Sequence, residues 1–124
     1  MPISNHIDVA RGTVFSTFSG AVTVEEVRAL AEALRDDPDF RPDLNQMIDL
    51  RATEVAMSTD DIKGLARISP FGEGSRRALV VASDVLFGLS RMYEIWGEES
   101  GAEVDVCKDY QEAMAWLGLE EVGS

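Results

Sequence analysis

Arg76-Arg77-Ala78-Leu79-Val80-Val81-Ala82 is the stretch that decides the fold. Five consecutive apolar residues behind two arginines leave no position to face water, the pattern of a parallel strand covered on both faces. Such a strand needs crossover connections, so helices should flank it along the chain. Upstream, Ser58 or Thr59 caps a helix whose first turn carries Asp60 and Asp61, acids suited to the positive end of the helix dipole. Ile62, Leu65, Ala66 and Ile68 supply its apolar side, Pro70 closes it, and a loop with Gly72 and Gly74 leads into the strand. Downstream, Ser83-Asp84 opens a helix running to about Trp96, Glu98 to Gly101 turns the chain, and Ala102 to Cys107 reads as another strand.

The same alternation extends to both ends. Leu44 to Leu50 reads as a short, mainly buried strand with Met47, Ile48 and Leu50 as its apolar content. Before it, Thr23 and Glu26 stand at capping-box spacing ahead of Val27, Leu30, Ala31 and Leu34, which recur at helical intervals until Asp36-Asp37-Pro38 ends the helix. Ile7 to Phe18, broken at Arg11-Gly12 and followed by Ser19-Gly20, reads as a hairpin. At the other end Asp109 starts a last helix with Glu112 in capping-box position, and Ala113, Met114, Trp116 and Leu117 face inward before Gly118 stops it. The order β-β-α-β-α-β-α-β-α predicts an α/β fold: a mainly parallel five-stranded sheet with one antiparallel edge strand. No repeat, low-complexity tract or linker interrupts it.

With 124 residues the chain has the size of a single domain spanning 1–124. Its 23 acidic and 11 basic side chains give a net charge of −12, which repels phosphate backbones and anionic headgroups and argues against nucleic acid as a partner. One cysteine, Cys107, allows no intrachain disulfide, and Met1-Pro2-Ile3-Ser4 lacks the features of a signal peptide, so a cytoplasmic protein is expected. No apolar run is long enough for a membrane span, leaving at most peripheral membrane contact.

Catalytic and metal chemistry find little support. His6 is the only histidine, and no cysteine or carboxylate stands at ligand spacing from it. A hydrolase triad would also have to use His6, on an edge strand, and no Gly-x-Ser-x-Gly occurs. Phe71-Gly72-Glu73-Gly74-Ser75 runs from helix to strand, whereas phosphate cradles run from strand to helix. The acidic pairs Asp36-Asp37, Asp60-Asp61, Glu98-Glu99 and Glu120-Glu121 read as caps and solvated faces, and Cys107, at a strand end, as a buried inert thiol. A non-enzymatic protein with no catalytic residues, metal or cofactor is the expectation.

The third helix is the anomaly. In Asp84-Val85-Leu86-Phe87-Gly88-Leu89-Ser90-Arg91-Met92-Tyr93-Glu94-Ile95-Trp96, the stripe Val85, Leu89, Met92 and Trp96 can face the sheet, which leaves Leu86, Phe87, Tyr93 and Ile95 partly outward. Either the neighbouring helix and the sheet bury all of them, or they form an exposed surface or a cleft beside the second helix. Gly88 would admit a group close to the helix backbone, and Met57, Met92 and Tyr93 are adaptable linings.

The order of elements, with Leu50-Arg51-Ala52, Ser58-Thr59-Asp60 and Arg76-Arg77-Ala78-Leu79-Val80-Val81, resembles the SpoIIAA-like proteins of bacteria, related in fold to STAS domains, the anti-sigma-factor antagonists. Phe87-Gly88-Leu89-Ser90-Arg91-Met92-Tyr93-Glu94 is similar to that family's third helix. The resemblance implies a non-enzymatic protein whose second and third helices frame an apolar pocket, with Leu65, Ile68, Phe71, Leu86, Phe87, Leu89, Met92, Tyr93 and Trp96 as candidate lining for a small apolar or lipid-like ligand. It also implies an alternative, a regulatory protein–protein module in which Ser58 is the candidate phosphorylation site. Met57-Ser58-Thr59-Asp60 lacks the aspartate and glycine of the antagonist motif, and Asp60 and Asp61 would repel a phosphoryl group, which favours Ser58 as a plain cap. An exposed third helix or an open hairpin edge would support a homodimer.

Overall fold

A long parallel pair forms the spine of the sheet. In the computed structural model, which describes residues 3–55, 58–98 and 101–119, Thr13–Val22 (β2) lies alongside Asn45–Val55 (β3). Ile3–Asp8 (β1) pairs antiparallel with β2, and Arg76–Val80 (β4) and Glu103–Cys107 (β5) extend the sheet in parallel on the other side, in the order β1-β2-β3-β4-β5. This is the expected sheet with its antiparallel edge.

Each parallel step moves one strand in the same direction. Right-handed crossovers therefore place Val24–Asp36 (α1), Thr59–Ile68 (α2) and Asp84–Gly97 (α3) on one face. Tyr110–Trp116 (α4) returns on the other. Strand alternation divides β4 accordingly: Leu79 packs with Leu86 and Ile48 on the three-helix face, whereas Ala78 and Val80 pack with Met114 and Leu117 beneath α4. Val80 and Val81 have no exposed surface, and each such side chain stabilises the fold by about 1.5–3 kcal/mol relative to an exposed one. A third cluster, Val14, Leu34, Leu44 and Phe71, closes one end of the three-helix layer, with Phe40 edge-on to Phe71 at 5.2 Å between ring centres.

The local signals hold at most boundaries. Thr23 and Glu26 form a reciprocal capping box at α1, and Ser58, rather than Thr59, caps α2, its side chain accepting from Asp61 N–H at 3.1 Å while Asp61 accepts from Ser58 N–H. The hairpin turns at Gly12, whose φ of +61° a side chain would strain.

Four expectations are corrected. The hairpin strands are longer than Ile7 to Phe18, and β3 runs five residues past Leu50. The register shifts between Thr17 and Ser19, Gly20 takes a φ of +67°, and pairing then resumes from Ser19↔Ala52 to Val22↔Val55. Ser19-Gly20 is thus a bulge within β2 and not its end. At α4, Asp109 accepts from Gln111 N–H at 2.8 Å, one residue short of Glu112, so no capping box forms there.

The inward stripe of α3 is also displaced. Leu86, Ser90 and Gly97 are buried and Tyr93 packs against the core, whereas Val85 is 77 % exposed and Ile95 67 %. The small residues explain the choice. A Cβ on Gly97 would lie 3.3 Å from Val104 Cγ2, so this stripe lets the helix backbone approach β5 more closely than Trp96 and Met92 would. Gly88 faces open space, with nothing among the described residues near a Cβ built there.

Candidate functional site

Three helices laid across a twisted sheet do not cover it completely. Between α1, α2, α3 and the sheet lies a cleft of about 110 Å³ whose walls are almost entirely apolar. Its floor is the three-helix face of β2, β3 and β4, including Phe18, Ile48, Leu50 and Leu79. Val27, Leu30 and Leu34 of α1 close one side, and Ile62 and Leu65 of α2 another. Arg35 Nη2 donates to the carbonyl of Ile68, tying α1 to the C-terminal end of α2.

The proposed lining residues divide. Leu65, Ile68, Phe71, Leu86, Leu89 and Tyr93 border the cleft; Phe87, Met92 and Trp96 do not. Phe87 packs on the core with Lys108 Nζ 5.2 Å from its ring centre, and Trp96 carries Lys63 Nζ at 5.8 Å. Helical geometry separates them, because the inward stripe passes through Leu86, Leu89, Ser90 and Tyr93 and turns the intervening rings aside. Met57 lies outside the described residues.

The sequence gives no direct indication of the polar end of this cleft. Arg77 is 5 % exposed and Gln46 2 %, and both border the cavity. A guanidinium only donates hydrogen bonds. Gln46 therefore presents Oε1 to Arg77 Nε at 2.9 Å and turns its Nε2 to Ser16 Oγ at 3.0 Å, while the Ser16 hydroxyl donates to Asn5 Oδ1 at 2.6 Å. This row crosses β4, β3, β2 and β1 and holds the arginine in one orientation. The guanidinium carbon stands 4.8 Å from the ring centre of Phe71 and 5.2 Å from that of Tyr93, so two aromatic faces bracket the charge. Among the described residues no carboxylate forms an ion pair with it, although five other arginines and one lysine have such partners.

A signal for Arg77 existed. Two adjacent arginines in a strand point to opposite faces, so one of them points to the three-helix face, but alternation alone does not say which one the fold encloses. Arg76 is the outer one, paired with Glu103 at 3.0 Å and lying 5.4 Å from the Trp116 ring centre.

The other candidates have structural surroundings. His6 is exposed on β1. Cys107 is buried, and burial, reinforced by the neighbouring Asp105 carboxylate, pushes its thiol up to about 12. Asp49 is held below the usual carboxylate range chiefly by its hydrogen bonds from the Arg51 side chain, at 2.8 and 2.9 Å. Glu94 is pushed up by burial, with Arg91 at 3.1 Å opposing the shift. Ser58 is exposed, its hydroxyl engaged as the α2 cap. No group of three His, Cys, Asp or Glu among the described residues is arranged to hold a metal ion, and no helix among them is long and apolar enough to cross a membrane.

No protein-family model matches the sequence, and no curated protein matches it. The structure is similar to that of an uncharacterized protein of the DUF3478 family with a SpoIIAA-like fold, from Shewanella loihica PV-4. The TM-score is 0.62 at 16 % identity, over 93 % of each chain. The four helices and the five-stranded mixed sheet with one antiparallel pair among the described residues, together with this likeness, show that the chain has a SpoIIAA-like fold.

Proposed function

We propose that this protein is a non-enzymatic binding module that holds a small apolar or amphipathic ligand in the cleft between α1, α2, α3 and the sheet. The carrying observation is the cleft itself, an apolar cavity of about 110 Å³ between three helices and the sheet. Protein interiors ordinarily close such space, because the lining atoms of an empty cavity lose their dispersion partners. A dry apolar cavity of about 150 Å³ accommodates a benzene-sized molecule, so the enclosed part of a ligand here is a ring or a short alkyl segment. Any longer tail would leave through the mouth. The reading is supported by the residues of α2 and α3 that border the cleft, to which α1 adds a further wall. The net charge of −12 disfavours recruitment to anionic membranes, which supports capture of a free ligand over surface binding.

A ¹H–¹⁵N NMR titration with 1-octanol and, separately, sodium octanoate tests the reading. Saturable shifts centred on Leu65, Ile68, Leu89 and Tyr93 with at least one of the two are expected. Absence of saturable shifts with both, or shifts confined to surfaces away from these residues, would refute it. Ser58 serves α2 as a cap through the same oxygen a kinase would modify, and this favours ligand binding over the phosphorylated regulatory module.

A further inference from the structure

Arg77 is a charged group in the lining of the cleft, and an apolar ligand does not explain it. Placing a permanent charge in a core incurs a large desolvation penalty unless an opposite charge compensates it, and natural cores ordinarily supply one. Here a single neutral acceptor meets Nε, two rings cover the faces, and no other hydrogen bond to the guanidinium occurs among the described residues. The sequence contains 23 acidic residues, yet none of those described is placed against it. The Asn5–Ser16–Gln46 row also fixes the guanidinium plane, as a preorganised anion site requires.

From this we infer that the ligand is an apolar monocarboxylate, its carboxylate paired with Arg77 and its hydrocarbon body filling the cleft. The inference rests on the proposed binding function and names the chemistry of its ligand. Nε is already engaged by Gln46, which leaves the terminal Nη groups as donors to a planar two-oxygen acceptor. One guanidinium balances one negative charge. A phosphate monoester carries about 1.5–2 charges at neutral pH and would remain under-compensated in an otherwise apolar wall. Ser90, 4 % exposed, contributes a hydroxyl to the same lining.

Calorimetric titration of the intact chain with sodium octanoate, 1-octanol and octyl phosphate at pH 7.5 tests the inference, with Arg77→Met as the variant. Wild type should bind octanoate at least about ten-fold more tightly than octanol, the gap expected of one charge-assisted contact, and more tightly than octyl phosphate. Arg77→Met should bind octanoate and octanol within about three-fold of each other, with octanol affinity retained. If Arg77→Met does not fold, the wild type alone decides: its preference for octanoate over octanol should vanish as the pH falls through the range where the ligand's carboxyl protonates. Equal affinities for octanoate and octanol in wild type would overturn the carboxylate inference and leave the apolar site standing. Tighter binding of octyl phosphate would overturn the choice of head group. Binding of none of the three would remove both the inference and the proposed function.

Discussion

Filling the cleft from Ser90 is the most direct perturbation of the proposed site. Ser90 is buried on the inward stripe of α3 and borders the cavity, so Ser90→Leu directs three further carbons into it. At about 24 cal/mol per Å³, a cavity of about 110 Å³ destabilises the unliganded fold by at most about 2.6 kcal/mol. Independently, three buried carbons at about 0.8 kcal/mol each give about 2.4 kcal/mol. Rotamer strain of about 0.5–1.5 kcal/mol opposes this, so Ser90→Leu should be about 1–2 kcal/mol more stable than Ser90→Ala. The alanine variant is the right reference, because it removes the hydroxyl and carries nearly the same helix propensity as leucine. Urea unfolding with a common m-value measures the difference, and octanol titration should show affinity reduced by at least about ten-fold, the equivalent of about 1.4 kcal/mol. A leucine variant less stable than the alanine variant by more than about 1 kcal/mol would show that the site has no room, in which case the cavity reasoning is wrong.

Two further outcomes follow from other parts of the structure. Ser58→Ala should lower stability by about 1 kcal/mol in urea unfolding, whereas Ser58→Asp should stay within about 0.5 kcal/mol of wild type because aspartate caps equally well; an equal loss in both would contradict the capping account. Burial raises the folded-state pKa of Glu94 above its ordinary value of 4.5, and the Arg91 guanidinium, 3.1 Å from its Oε2, offsets only part of that rise. A raised folded-state value means that stability is fully present below the unfolded pKa and is lost as pH rises through the folded one. Glu94→Gln should therefore exceed wild type in stability at pH 7, with the gap closing by about pH 4. A gap of the same size at both pH values would assign the effect to something other than ionisation.

The pieces of the fold that were legible were those with local causes. Thr23, Ser58, Ser83 and Asp109 cap helices because their side-chain oxygens meet nearby backbone amides, a geometry contained within four residues. The Ala78–Val81 run marked a doubly covered strand because alternation is intrinsic to extended backbone. The pairing of Gly20 with Thr53 was not legible, since a bulge in β2 is stabilised by a strand 33 residues away, with the Thr53 hydroxyl donating to Gly20 O at 2.6 Å. The face of α3 was misassigned for a related reason. Hydrophobicity alone favours Trp96 and Met92 inward, but close packing on β5 selects Gly97, where a Cβ would lie 3.3 Å from Val104 Cγ2.

The sequence by itself determined that three helices and a central apolar strand form an α/β layer, and that the third helix carries more apolar surface than one buried stripe requires. Only the tertiary structure decided that α1, α2 and α3 leave a cleft open, and that its polar end is Arg77. The physical reason is that a cavity is a property of surfaces meeting, and a guanidinium reads as a surface charge until the folded chain surrounds it with Phe71, Tyr93 and Gln46 and gives it no carboxylate among the described residues.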